Sequence, residues 1–101
     1  MLSVIIACFN EKPNLLRYEA ELLPELTALG QTHEVLLIDD GSTDGSAEAM
    51  AELARRHPQI RVTVHPTNLG LGSALRTGFS QSQGAWLVTL DADLTFHPRQ
   101  I

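Results

Sequence analysis

Apolar positions gather into four short runs, separated by segments whose apolar residues recur at helical spacing. Leu2 to Phe9, Val35 to Ile38 and Trp86 to Leu90 are nearly unbroken apolar stretches, the pattern of strands covered on both faces of a parallel sheet. Ile60, Val62 and Val64 alternate with Arg61 and Thr63, which predicts a half-covered strand near a sheet edge. Between the first two runs, Leu15, Leu22, Leu26 and Leu29 share one helical face, with Leu16 and Leu23 beside it. Pro24 has no amide hydrogen, so this helix is expected to kink near Leu23 or divide in two, and Gly30 to end it. A second helix is expected from Asp44 or Ser46, either of which can cap it, with Ala47, Met50, Ala51 and Leu53 facing a core before Pro58 stops it. A third follows Gly72 and carries Ala74, Leu75 and Phe79; Phe79 and Trp86 read most simply as core.

Strands alternating with helices imply right-handed crossovers over a parallel sheet, hence a Rossmann-like, three-layer α/β/α fold with strand order 3-2-1-4. In such sheets ligands bind beyond the carboxyl ends of the strands, where the strand order reverses. Asn10 and Glu11 follow the first strand, Asp39 to Gly45 the second, and Asp91-Ala92-Asp93 the fourth, so three polar clusters are expected at one edge.

Each cluster has a chemistry and a plainer alternative. Asp91 and Asp93 are two apart, so in extended backbone both carboxylates point the same way and repel unless a cation lies between them. Oxygen-only ligands suit Mg²⁺ or Mn²⁺; the alternative is a strand end followed by a helix cap. Asp40 can accept a hydrogen bond from a ribose hydroxyl or a base N–H, although Gly41, Ser42, Asp44 and Gly45 are also ordinary turn residues. Gly70 and Gly72 match the first two glycines of a dinucleotide fingerprint, with Asp91 about twenty residues on, but Leu75 stands where the third glycine belongs. His33, His57, His65 and His97 are scattered, and each reads as a surface or cap residue.

Composition narrows the classes. A chain of 101 residues has room for one domain, and its 44% hydrophobic and 19% charged residues are those of a globular fold. Seven Lys and Arg against twelve Asp and Glu give a net charge of −5, the wrong sign for gripping phosphate backbones, which argues against nucleic acid as a partner. The single cysteine, Cys8, lies in an apolar run and reads as a small buried hydrophobe, in keeping with a reducing cytoplasm. The opening run lacks the basic region and length of a signal peptide, and no stretch approaches the ~20 apolar residues of a membrane span.

Several segments together resemble the family-2 glycosyltransferases of the GT-A fold, especially the dolichyl-phosphate mannose synthase-like branch. Ser3 to Glu11 is similar to that family's first strand and Tyr-Asn-Glu turn, Val35 to Gly45 to its Asp-Asp-Gly-Ser-x-Asp-Gly segment, Asn68 to Gly78 to its Asn-x-Gly-x-Gly helix start, and Asp91 to Leu94 to its D-x-D metal motif. The resemblance implies that Ala7, Phe9, Glu11 and Asp40, with Asp91, contact the donor nucleotide, and that Asp91 and Asp93 hold a Mg²⁺ or Mn²⁺ ion bridging its diphosphate. It implies transfer of a sugar, with inversion, from a nucleotide-diphosphate sugar to an acceptor such as a polyprenyl phosphate at a membrane surface. Ala7 stands where the family often has proline or threonine, Phe9 where it has tyrosine, and Thr95 where the mannose synthase branch has glutamine. Residues 1–101 are then expected to be the N-terminal, nucleotide-sugar-binding part of a GT-A domain, inactive alone. The base is expected beyond residue 101, and the protein is expected in the cytoplasm, at or anchored to the inner membrane through further segments. Two other classes compete: a non-catalytic nucleotide-binding or interaction module, and a fragment of a dinucleotide-dependent oxidoreductase.

Overall fold

The computed structural model describes residues 1–90. Strand β1 (Leu2–Cys8) leads through a 3₁₀ turn (Lys12–Asn14) into α1 (Leu15–Arg17), a π turn (Tyr18–Leu22) and α2 (Leu23–Ala28). Then come β2 (His33–Asp40), α3 (Ser46–Arg56), β3 (Ile60–His65), α4 (Leu71–Gln81) and β4 (Trp86–Leu90). The four strands form one parallel sheet in the order β3-β2-β1-β4, as the alternation of elements predicts. Leu2 lies opposite His33 and Trp86, Cys8 opposite Asp39, and Asp40 opposite His65.

The two central strands are buried along almost their whole length, and alternation sends their side chains to two cores. Val4, Ile6, Cys8, Val35 and Leu37 meet Leu15, Tyr18, Leu22, Leu26, Met50 and Leu53 on one face. Ile5, Leu36 and Ile38 meet Ala74 and Leu75 of α4 on the other. Small residues let α4 lie close to the sheet: a Cβ on Gly78 would stand 2.5 Å from Ile5 Cγ2. That contact fixes which side of α4 faces inward.

The expected division at Pro24 takes the form of a register slip. The Leu23 amide donates to the Tyr18 carbonyl, five residues back, so the helix restarts with Pro24 in its first turn, where a missing N–H breaks no bond. The slip rotates the leucine face. Leu15, Leu22, Leu23 and Leu26 are buried, but Leu16 and Leu29 are exposed and Tyr18 joins the core. In α3 the core residues are Met50 and Leu53, whereas Ala51 faces solvent.

Two expectations for the core fail. Phe79 is 44% exposed because Gly78 takes the sheet-facing position on α4. Trp86 is 69% exposed, and β4 is not covered on both faces: it is an edge strand, hydrogen-bonded among the described residues to β1 alone. β3, at the other edge, keeps Ile60 buried and Arg61 exposed as its alternation predicts, but Val64, on the apolar face, is 51% exposed.

Candidate functional site

The carboxyl ends of β1 and β2 are laced together by side chains of their following loops. Asn10 leaves β1 with φ +53°, a left-handed conformation that asparagine tolerates better than most residues. Its amide donates to Ser42 Oγ at 2.8 Å and its Oδ1 accepts from the Thr43 amide at 2.8 Å. The Ser42 amide in turn donates to Asp39 Oδ2 at 3.2 Å. The Lys12 amide donates to Asp44 Oδ2 at 3.3 Å, while Asp44 Oδ1 accepts from the amide and hydroxyl of Ser46 at the start of α3. The Ser46 hydroxyl, helped by the two amides, holds the Asp44 carboxyl below the usual aspartate range. Asp44 thus folds its loop onto the helix start, with Gly45 as the residue preceding α3.

Asp40 ties a third loop to the same edge. It is buried, and it accepts from the amides of Leu69 at 2.9 Å and Gly70 at 2.8 Å, in the loop between β3 and α4. His65 Nδ1 lies 2.8 Å from its Oδ1. Burial pushes the Asp40 pKa up, but the imidazole and the two amides outweigh it and hold the carboxyl below its ordinary value. An ionised carboxylate can only accept, which puts the bonding proton on His65 Nδ1. Gly41, with φ +77°, brings the β2–α3 turn against the backbone of Thr67 and Asn68; a Cβ there would overlap both.

The sequence-predicted residues fall as follows. Ala7 is half-buried near the end of β1 on the α4 side, and Asp40, at the end of β2 and facing the same side, is buried. Phe9 is exposed at the carboxyl edge, and Glu11, half-buried, accepts from Asn14 Nδ2 at 2.8 Å. The structure therefore brings Ala7, Phe9, Glu11 and Asp40 to one edge of the sheet. β4 runs to Leu90 at that edge, Leu90 lying opposite Ile6. Asp91 and Asp93, the metal candidates, and Thr95 and His97 lie outside the described residues; among the described residues no three acidic, histidine or cysteine side chains cluster as a metal site would need. An oxygen-only pair such as Asp91 and Asp93 fits Mg²⁺ or Mn²⁺ by donor type.

Two sequence readings need correcting. His65 is neither a surface nor a cap residue: it is 8% exposed, wedged between Asp40 and Thr77. Its signal lay in its place at the end of the alternating run, but linking it to Asp40 requires the β2–β3 register. The dinucleotide reading also loses ground. The Leu69 and Gly70 amides, which would have to face a pyrophosphate, are taken by a carboxylate of the protein's own.

Glycosyl transferase family 2 matches this chain over residues 3–101, and the chain belongs to that family. It is 38% identical over 101 residues to the undecaprenyl-phosphate 4-deoxy-4-formamido-L-arabinose transferase of Edwardsiella ictaluri, covering 98% of this chain and 31% of the relative. It is 35% identical over 103 residues to the dolichol-phosphate mannosyltransferase of Saccharomyces cerevisiae, covering 98% of this chain and 38% of that protein. The chain thus spans about a third of the length of these relatives. Among solved structures it superposes on the mannosyltransferase PcManGT from Pyrobaculum calidifontis, in complex with GDP-Man and Mn²⁺, with a TM-score of 0.76 and 27% identity, over 91% of this chain and 27% of that one. S. aureus TarS 1-349 in complex with UDP-GlcNAc gives a TM-score of 0.70 at 28% identity, over 91% of this chain and 26% of the other. The strand order and helix placement are those the GT-A resemblance implies.

Proposed function

We propose that residues 1–101 are the N-terminal, donor-binding part of a GT-A glycosyltransferase that transfers a sugar, with inversion, from a nucleotide-diphosphate sugar to a polyprenyl phosphate. The observation that carries this reading is the convergence of the loops after β1, β2 and β3 on one sheet edge through Asn10, Asp39, Asp40 and Asp44. Asp91-Ala92-Asp93 follows β4 directly in sequence. The structural neighbour bound to GDP-Man and Mn²⁺ and the two polyprenyl-phosphate relatives support the donor, metal and acceptor classes.

In this reading Ala7, Phe9, Glu11 and Asp40 line the nucleoside pocket, and Phe9 supplies an aromatic face for base stacking without the phenolic hydroxyl usual there. Asp91 and Asp93 would hold Mg²⁺ or Mn²⁺, Asp91 also reaching the donor, and a divalent cation there would supply the positive charge that makes a nucleoside diphosphate a better leaving group. It also reconciles a chain of net charge −5 with an anionic substrate. A phosphate acceptor is already ionised at neutral pH and needs little help from a base. No helix among the described residues is long and apolar enough to cross a membrane, so meeting a lipid-linked acceptor at the cytoplasmic face of the inner membrane calls for a surface contact or for segments outside this chain.

Calorimetric titration with UDP and GDP, with and without MnCl₂, tests the reading. One of the two nucleotides is expected to bind more tightly with metal than without, and Asp93→Asn is expected to weaken this metal-dependent binding more than Asp40→Asn does. Asp40→Asn, which loses a hydrogen-bonding charge and not a metal ligand, is expected to cost about 1–3 kcal/mol whether or not metal is present. Equal nucleotide affinity with and without metal in the unaltered chain would remove Asp91 and Asp93 from the site. No binding of either nucleotide would favour the interaction-module reading.

A further inference from the structure

The structure assigns His65 a role in the donor site as a positioning residue for Asp40, and the inference rests on the reading of Asp40 as part of the nucleoside pocket. The imidazole is held from both sides, Nδ1 at 2.8 Å from Asp40 Oδ1 and Nε2 at 2.8 Å from Thr77 Oγ1 on α4. Asp40 stands at the last position of β2 and His65 at the last position of β3, directly opposite in the sheet. Both are buried, so neither group can exchange its partner for bulk water without opening the edge.

The geometry explains why such a residue is needed. The Leu69 and Gly70 amides approach the Asp40 carboxylate from the β3–α4 loop, one to each oxygen. Two donors from a single loop would let carboxylate and loop turn together about the side-chain torsion. A third donor, from a ring clamped between β3 and α4, fixes the plane of the carboxylate and thereby the loop that Asp40 holds. Gly70 has φ +97° and no atom within 4 Å of where a Cβ would be, so at Gly70 the loop is held by the carboxylate, while Gly41 packs against Thr67 and Asn68 before it. His65 therefore acts on the nucleoside pocket through Asp40.

Two near-isosteric substitutions separate this role from simple packing. The amide nitrogen of asparagine falls near the place of Nδ1 and keeps a donor to Asp40. That of glutamine falls near Nε2 and keeps the contact to Thr77 alone. Hydrogen exchange of the Leu69 and Gly70 amides is followed in the unliganded chain, and UDP and GDP binding with MnCl₂ by calorimetry. His65→Asn is expected to keep both amides protected and to bind within about threefold of the unaltered chain. His65→Gln is expected to speed exchange at both amides tenfold or more and to weaken binding about as much, at an equal thermal midpoint. Equal behaviour of the two variants, or protection retained only in His65→Gln, would overturn the assignment. If His65→Gln does not fold, His65→Asn decides alone: retained protection supports the role and lost protection overturns it. If the unaltered chain binds neither nucleotide, the donor-site reading has failed, and the exchange arm still decides whether His65 positions Asp40.

Discussion

Gly41 and Gly30 both have positive φ, +77° and +70°, yet their surroundings differ. Around Gly30 there is open space, so alanine there suffers only the left-handed backbone, about 1 kcal/mol. At Gly41 a methyl would overlap the backbone of Thr67 and Asn68, which cannot rotate away as a side chain would. Gly41→Ala is therefore expected to cost about 3 kcal/mol and to part the β2–α3 turn from the β3–α4 loop. Urea denaturation of the two variants checks this; equal losses would mean that backbone strain alone governs both. Cys8 shows the reverse case, a potentially reactive group with no chemistry to perform. Burial pushes its thiol up to about 12, and its polar neighbours are the Ile6 carbonyl and the Tyr18 hydroxyl. It is a core residue, as its apolar neighbours in sequence suggest.

Between elements, polar side chains fasten both ends of the sheet. At the end opposite the candidate site, Glu34 on β2 accepts from the Ser3 hydroxyl of β1, from Arg61 of β3 at 2.7 Å and from the Gln83 amide before β4 at 2.7 Å. Burial pushes the Glu34 carboxyl up, but these donors together outweigh it and hold the group below its ordinary range. A carboxylate depressed in the folded state stabilises fully above its unfolded pKa, about 4.3, and that stability is lost as pH falls through the folded value. Glu34→Gln is accordingly expected to lower stability near neutral pH, and to lose less than the unaltered chain between about pH 5 and pH 2. Urea midpoints across that range test this; parallel pH profiles would show that Glu34 does not titrate with folding. On the outer layer, Glu19 of the π turn meets Arg56 at 3.2 Å and His57 at 2.7 Å, pinning the end of α3 to the helix ahead of Pro24.

For the molecule as a whole, the asymmetry of the two sheet edges matters most. β3 ends the sheet with Arg61 partly exposed, its guanidinium bridging Glu34 of β2 and the Gln81 carbonyl, and a charge on an edge strand discourages pairing with another chain. β4 offers Trp86 at 69% and Leu87 at 48% exposure, with Phe79 of α4 also exposed. A strand paired on one side only, as β4 is among the described residues, is a template for association when it carries large exposed apolar side chains. The 101-residue chain is expected to self-associate as its concentration rises, and the double variant Trp86→Lys, Leu87→Lys to remain monomeric with unchanged circular dichroism. Sedimentation velocity over a concentration series measures both; a chain that stays monomeric throughout, with Trp86 and Leu87 intact, would show that the β4 edge is shielded in solution.

Hydrophobic periodicity and turn chemistry are local properties, and whatever depends on them is legible in the chain before it folds. The unbroken apolar runs marked β1 and β2, the alternation at Ile60 to Val64 marked an edge strand, and the order of elements fixed a parallel sheet with β1 and β2 central. Polar residues directly after the strands located the edge where Asn10, Glu11 and Asp40 gather. Features that depend on a partner distant in sequence arise only with tertiary packing. An apolar run such as Trp86 to Leu90 reads the same whether neighbours cover it or not, and its exposure follows from its place outside β1. Which side of α4 faces inward was settled by the close approach of Gly78 to Ile5, which turns Phe79 outward. His65 looked like one of four scattered histidines because its partners, Asp40 and Thr77, are 25 and 12 residues away, and only the β2–β3 register and the packing of α4 bring them within hydrogen-bonding distance.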